Sequence, residues 1–108
     1  MSADFTRLAR LCETIEARRH AAPETSYVAS LLAGGPEKAA KKLGEEAVEA
    51  VLAAAAGDRA ALVHESADLL FHLLVLWAAC GVAPADVMAE LARREGVSGL
   101  EEKRRRGR

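Results

Sequence analysis

The segment from Leu69 to Ala78 most constrains how this chain can fold, because nine of its ten residues are apolar. If the segment is helical it has almost no polar face, and a helix that is apolar all round must be buried on all sides. A chain of 108 residues can hardly surround one helix by itself. We therefore expect a homo-oligomer, most simply a dimer, in which this helix is central.

The composition favours helices over strands. The chain contains 24 Ala, 14 Leu, 12 Glu and 11 Arg, against 9 Val plus Ile and 4 aromatic residues. Its length allows one hydrophobic core and no second domain. The sequence therefore predicts a single all-α domain over residues 1–108, built as a bundle of four to five helices and completed by oligomerisation.

Charge and cysteine content limit the partners and the compartment. The net charge of −1 gives no basic excess to hold nucleic acid. Cys12 and Cys80 form no CxxC pair, which fits a reducing cytoplasm. The longest apolar run, residues 69–83, contains His72 and Gly81 and is shorter than the roughly 20 residues that a bilayer requires. We expect a soluble, cytoplasmic protein that binds neither nucleic acid nor a membrane.

Glycine, proline and capping residues divide the chain into helices. The last predicted helix is followed by a charged tail at about 97–108, whose basic residues are either a solvated end or a source of charge for a phosphate-rich ligand. The five predicted helices run from a cap at Asp4 to about His20, from Thr25 or Ser26 to Ala33, from Pro36 to about Ala56, from a cap at Asp58 to about Cys80, and from Pro84 to Arg94.

Three glutamates lie on one side of the third predicted helix. At about 100° per residue, Glu45, Glu46 and Glu49 fall within one arc of about 100°. Taken alone, this stripe is best explained as a solvated face. Lys38 and Lys42 project onto the same stripe, where they would lie beside any bound metal and its phosphates.

Glu65 and Asp68 are harder to explain as surface residues, because they lead into the apolar helix. Burying ionised groups is costly unless a cation, a hydrogen-bond network or a solvent-filled cleft compensates them. Antiparallel packing of the third and fourth helices about the turn at residues 57–58 would bring these acids against the third helix. The four acids that then converge are Glu46, Glu49, Glu65 and Asp68.

Such a cluster suits Mg²⁺, which prefers oxygen ligands, although a structural salt-bridge network fits the spacing equally well. The sequence has no EF-hand loop and no HExxH motif, and a di-iron site would require histidine on the third helix. His72, one turn beyond Asp68, is either a hydrogen-bonded core histidine or a partner that orients that carboxylate. Tyr27 is interpreted as a core residue more readily than as a base-stacking one.

The two acidic motifs together have a specific resemblance. Glu45-Glu46-x-x-Glu49 followed by Glu65-x-x-Asp68 resembles the EExxE…ExxD signature of the MazG-like all-α nucleotide pyrophosphohydrolases. Within that superfamily the chain is similar, from about Thr25 to the C-terminus, to the phosphoribosyl-ATP pyrophosphatase family. The stretches that carry this similarity are Ser26-Tyr27, Lys41-Lys42-Leu43-Gly44-Glu45-Glu46-Ala47, Asp68-Leu69-Leu70-Phe71-His72-Leu73-Leu74-Val75 and Ser98-Gly99-x-Glu101-Glu102-Lys103.

The resemblance implies a bundle of the MazG-like type and Mg²⁺-dependent hydrolysis of phosphoribosyl-ATP to phosphoribosyl-AMP and pyrophosphate, the second step of histidine biosynthesis. It also implies a cytoplasmic oligomer. Glu45 would be a further metal ligand or the group that orients the attacking water. The implied metal ligands are Glu46, Glu49, Glu65 and Asp68.

Two other functions remain open at this point. A house-cleaning nucleoside triphosphate pyrophosphohydrolase would use the same metal site with a different base and sugar pocket. A non-catalytic helical oligomerisation module would use the acids in salt bridges, but it leaves Glu65 and Asp68 unexplained at the start of an apolar segment.

Overall fold

The computed structural model describes residues 2–107, with only the main chain described for Glu102. Arg108 of the predicted tail and the side chain of Glu102 therefore lie outside the described residues. The described part of the chain is helical and contains no strand, so the prediction of an all-α fold is confirmed. The helices are α1 (Thr6–Ala17), α2 (Tyr27–Ala33), α3 (Gly35–Ala55), α4 (Arg59–Cys80), α5 (Pro84–Arg94) and α6 (Gly99–Arg105).

Most helix ends follow the predicted local chemistry. The side chain of Ser26 accepts a hydrogen bond from the main-chain N–H of Ala29 at the start of α2, and Asp58 caps α4 in the same way through Ala61. Gly81 ends α4 in the left-handed conformation, with φ of 71°. These bonds satisfy N–H and C=O groups that a helix leaves unpaired at its ends.

Both ends of α1 and the C-terminal tail differ from the prediction. The carboxylate of Asp4 accepts from Thr6 N, but Phe5 lies between Asp4 and the helix, and α1 ends at Ala17 instead of about His20. The expected charged tail contains the additional helix α6, because Ser98 Oγ accepts a hydrogen bond from Glu101 N and so caps its first turn. These differences depend on local hydrogen bonds at the start or the end of a helix.

The helices α3 and α4 form an antiparallel hairpin about Gly57, whose φ of 71° allows the tight turn. At the end of the hairpin away from this turn, α1 and α2 pack against it. Arg19, just after α1, donates a hydrogen bond to the main-chain oxygen of Ala78 near the end of α4. The buried core lies here and consists of Ile15, Val28, Leu31, Ala39, Leu74 and Val75.

A single chain does not bury α4 on all sides. Val63 is 72% exposed and Leu70 is 42% exposed, whereas Val75 is fully buried. By length and apolar content α4 would be long enough to cross a membrane, a property that core helices of soluble proteins share. No residue of α5 is buried, and its Met88 and Leu91 are about half exposed. Completion of the bundle by a second chain therefore stays a prediction.

Candidate functional site

The hairpin places the predicted acids in two pairs, each with one acid on α3 and one on α4 at the same height above the turn. Counted along the chain from Gly57, Glu46 and Asp68 are each eleven residues away, and Glu49 and Glu65 are each eight residues away. Because both helices rise by the same distance per residue, each pair lies at one height above the turn. The antiparallel packing expected from the short turn therefore brings the α3 acids to the level of the α4 acids.

The α4 acids form a compact group with a histidine that the sequence analysis did not assign to the site. One ligand atom from each of His64, Glu65 and Asp68 lies within 4.8 Å of the others. His64 Nε2 is 3.3 Å from Asp68 Oδ2, and both side chains keep contact with solvent. The spacing of four residues between His64 and Asp68 is the signal that could have identified this pair.

The α3 acids act on Glu65 through their charge. Desolvation raises the pKa of Glu65 above its ordinary value, and the negative charges of Asp68, Glu46 and Glu49 raise it further. His64 acts in the opposite direction and lowers it. Like charges that disfavour each other's ionisation are what a cation would relieve. Four carboxylates thus share one electrostatic environment at the middle of the hairpin.

Glu45 and the two lysines lie at the edge of this group. Glu45 is exposed, and its Oε1 lies 3.8 Å from Lys42 Nζ, so Lys42 pairs with Glu45 one turn on and not with Glu46. Lys38 extends toward α2, where its Nζ lies 3.4 Å from the main-chain oxygen of Ser30. Both contacts are long for an ion pair or hydrogen bond, so either ammonium group can exchange its partner readily.

His72 is buried behind the acids and contacts Asp68 at the main chain. Its Nδ1 lies 2.8 Å from the carbonyl oxygen of Asp68, and its Nε2 lies 3.2 Å from the hydroxyl of Tyr27. The predicted contact with the Asp68 side chain is thus replaced by one with its carbonyl group. Tyr27 is 54% exposed, so its interpretation as a core residue was wrong. Its ring stacks on Phe71 at a centroid distance of 6.0 Å.

The donor set fits a hard divalent cation. Carboxylate oxygens are the protein ligands that Mg²⁺ and Mn²⁺ prefer, and partial exposure leaves room for water and phosphate oxygens. The imidazole of His64 is a better ligand for transition metals, but its side chain is 73% exposed and can move away from Asp68. The arrangement can therefore hold a metal ion on its carboxylates and phosphate groups on the neighbouring lysines.

Comparisons with known proteins identify the family of the chain. The sequence model of the phosphoribosyl-ATP pyrophosphohydrolase family matches residues 8–95, which include all four acids. The chain is similar to the phosphoribosyl-ATP pyrophosphatase of Cereibacter sphaeroides, at 60% identity over 93% of this chain and 97% of the relative. It is 65% identical to the protein of that name from Rhizorhabdus wittichii, over 89% of this chain and 91% of the relative.

A third relative covers almost every residue. The phosphoribosyl-ATP pyrophosphatase of Parvibaculum lavamentivorans is 59% identical over 99% of this chain and 98% of its own length. The resemblance drawn from the acidic motifs is confirmed, and it extends further toward the N-terminus than Thr25. This chain belongs to the phosphoribosyl-ATP pyrophosphohydrolase family.

Proposed function

We propose that this chain hydrolyses phosphoribosyl-ATP to phosphoribosyl-AMP and pyrophosphate, as the second step of histidine biosynthesis. The observation that carries the proposal is its 60% identity, over 93% of its length, to a relative named for this substrate. The two pairs of acids at equal distances from Gly57 support it, because carboxylates can bind metal ions. Cleavage between two phosphates needs such positive charge to stabilise the leaving pyrophosphate.

The metal in this proposal is Mg²⁺. When bound, it would neutralise charge that develops on the phosphate oxygens. Support comes from Glu65, whose pKa is raised first by desolvation and then by the negative charges of neighbouring acids, both of which a bound cation would offset. Glu45, one residue before Glu46 and exposed, is suited either to complete the ligand set or to orient the attacking water. The ligands that we propose are Glu46, Glu49, Glu65 and Asp68.

Lys38 and Lys42 are the proposed phosphate-binding residues. Their present contacts, at 3.4 Å to a main-chain oxygen and 3.8 Å to Glu45, leave both ammonium groups able to turn toward a polyanion. Both lysines lie on α3, one and two turns before the acids Glu45 and Glu46. A substrate whose phosphates contact the lysines would therefore meet the carboxylates further along the same helix.

The functional form in this proposal is a cytoplasmic homo-oligomer, most simply a dimer. A second chain would cover apolar side chains that one chain leaves exposed near the turn of the hairpin. Those side chains are Val48, Val51, Leu52, Val63 and Leu70.

The test is pyrophosphate release by the purified protein with phosphoribosyl-ATP, beside a panel of canonical and modified nucleoside triphosphates. Asp68→Asn and Glu46→Gln should each lower kcat by about 10²- to 10³-fold, in keeping with loss of one electrostatic group at a reacting centre. Asp86→Asn, which changes an exposed acid in the first turn of α5, is the matched control.

Each outcome has a definite meaning. Selective release from phosphoribosyl-ATP that both site variants lose supports the proposal. Preference for another nucleotide would support metal-dependent pyrophosphate release but exclude the proposed step of histidine biosynthesis. Unchanged activity in Asp68→Asn and Glu46→Gln rejects the metal site, and no release from any compound returns the chain to a non-catalytic role.

A further inference from the structure

A hydrogen-bonded chain of groups joins α2 to the acidic site through the buried ring of His72. One ring nitrogen, Nε2, lies 3.2 Å from the hydroxyl of Tyr27 at the start of α2. The other, Nδ1, lies 2.8 Å from the main-chain oxygen of Asp68. His72 is only 5% exposed. Both nitrogens of a buried imidazole are therefore matched to protein groups.

The chemistry of these partners fixes the tautomer of His72. A carbonyl oxygen can only accept, so Nδ1 must carry the proton that it donates to Asp68. In the neutral ring Nε2 then accepts, and the hydroxyl of Tyr27 donates to it. The tyrosine hydroxyl thus favours the one tautomer in which His72 can hold the carbonyl of Asp68.

The carbonyl of Asp68 matters because its carboxylate is attached by a short side chain. Asp has two side-chain torsions, so the position of its carboxylate follows the main chain closely. A carbonyl oxygen has two lone pairs and can take the imidazole N–H besides its usual helical partner. Asp68 is consequently contacted on both sides, at its carboxylate by the exposed His64 and at its carbonyl by the buried His72.

We propose that Tyr27 is a positioning residue for the acidic site: by donating to His72 it keeps the Nδ1–H tautomer and thereby fixes Asp68 for metal binding. This inference rests on the proposed metal-dependent function. Ring packing supports it independently, because Phe71 stacks on Tyr27 and meets His72 edge-on at a centroid distance of 5.0 Å. The three rings thereby hold each other in the orientation that the hydrogen bonds require.

The substitution Tyr27→Phe isolates the hydroxyl, since it keeps the ring that stacks on Phe71. Thr25→Val is the matched control, because it removes a nearby exposed hydroxyl that bonds Ala22 and has no contact with His72. The Mg²⁺ concentration for half-maximal activity should rise about tenfold in Tyr27→Phe, a loss typical of groups that support metal ligands. Thr25→Val should match the unmodified protein.

Metal binding can also be measured without substrate, from the effect of Mg²⁺ on the melting temperature. The Mg²⁺ concentration that gives half of the metal-induced rise in melting temperature should increase by the same factor in Tyr27→Phe. In a His72→Asn background, whose amide can still donate to the carbonyl, Tyr27→Phe should have no further effect on either concentration. A full additional tenfold loss in that background would overturn the proposal.

The tautomer itself is read from the ¹⁵N resonances of the imidazole at about pH 8, where an ordinary histidine is neutral. The chain has three histidines, and His72→Asn identifies the signals of His72. We expect protonated Nδ1 and hydrogen-bonded Nε2 in the unmodified protein. In Tyr27→Phe, the tautomer that carries its proton on Nε2 should become populated.

Two results contradict the inference. Protonated Nε2 in the unmodified protein would remove its basis, and equal Mg²⁺ dependence in Tyr27→Phe and Thr25→Val would remove the positioning role. Failure of the proposed function looks different, because the unmodified protein itself would then release no pyrophosphate while the ¹⁵N spectrum still showed the hydrogen bonds of His72.

Discussion

The two ends of the α3–α4 hairpin differ in what covers them. At the covered end, which comprises residues 35–43 and 71–80, α1 and α2 pack on the pair and bury Ala39, Leu74 and Val75. At the turn end, which comprises residues 44–55 and 59–70, Val51 and Val63 are 65% and 72% exposed. Both ends are rich in apolar residues. The burial of a segment therefore depends on its neighbours in the fold more than on its own composition.

The acids lie at the turn end, close to its boundary with the covered end. There Glu65 and Asp68 remain half-buried, so they can keep water until a cation replaces it. Full burial at the covered end would make unpaired carboxylates far more costly. The covered end thus supplies stability, and the turn end supplies a charged surface that a polyanion and its metal can reach.

The largest expected difference between the ends is in the cost of losing a side chain. Leu31→Ala empties a position that is 1% exposed, and we expect the free energy of unfolding to fall by about 2–5 kcal/mol. Leu52→Ala, at a position that is 57% exposed in one chain, should change it by less than about 0.5 kcal/mol at protein concentrations low enough for the chain to be a monomer. Urea denaturation under these dilute conditions measures both. Equal losses there would show that the turn end is covered within a single chain.

Metal should stabilise the turn end specifically. At a Mg²⁺ concentration one hundred times its dissociation constant, the free energy of unfolding should rise by about 2.7 kcal/mol. Glu46→Gln should abolish most of this rise, while Leu31→Ala should retain it, because Leu31 lies in the core away from the acids. Melting curves with Mg²⁺ and with EDTA provide the measurement. Identical curves would count against the metal site.

Assembly should depend on the exposed apolar side chains of the turn end. Leu70→Asp places a charge where we expect a second chain to pack, and association should weaken at least tenfold, or about 1.4 kcal/mol. Thr14→Asp, on the exposed side of α1, should leave assembly unchanged. Sedimentation at micromolar concentration distinguishes the two. A sole species of 11.5 kDa for the unmodified protein would contradict the predicted oligomer.

The smallest expected effect is electrostatic and has the opposite sign. Because the pKa of Glu65 is raised in the folded state, its ionised form destabilises the metal-free protein above that pKa. Glu65→Gln should therefore melt higher than the unmodified protein at pH 7 in EDTA. The advantage should shrink as the pH falls through the raised pKa toward the ordinary value of 4.5, because folded Glu65 gains its proton at a higher pH than the unfolded chain does. A difference that is constant with pH would exclude this cost of ionising folded Glu65.

The sequence predicts helix ends well where a single residue determines the capping interaction. Ser26, Asp58 and Gly81 each do so, and each marks its helix end as expected. The end of α1 and the presence of α6 were not predicted, because a short terminal turn depends on small differences between competing hydrogen bonds. The exposure of α4 depends on how many other helices of the same chain pack against it. The periodicity of apolar residues in the sequence does not reveal that number.

The similar heights of the α3 and α4 acids in the hairpin could be predicted, because their spacing along two adjacent helices is regular. The role of Tyr27 could not, since its hydroxyl meets His72 across 45 residues of sequence. Such a contact exists only once α2 has packed on α4. His64 could be predicted only in part. Its spacing of four residues from Asp68 indicates a contact, but an exposed histidine is not by itself evidence of a site.

Because the paired acids lie at equal distances from Gly57, the length of the hairpin turn determines which acids of α3 and α4 lie side by side. An insertion or deletion of one residue there would rotate α4 by about 100° and shift it by about 1.5 Å relative to α3. Glu65 and Asp68 would then leave their partners, even though every side chain of the site remained in the chain. Substitutions in the turn that keep a residue able to adopt positive φ leave the pairing intact. Natural variation in this turn should therefore change its residues and preserve their number.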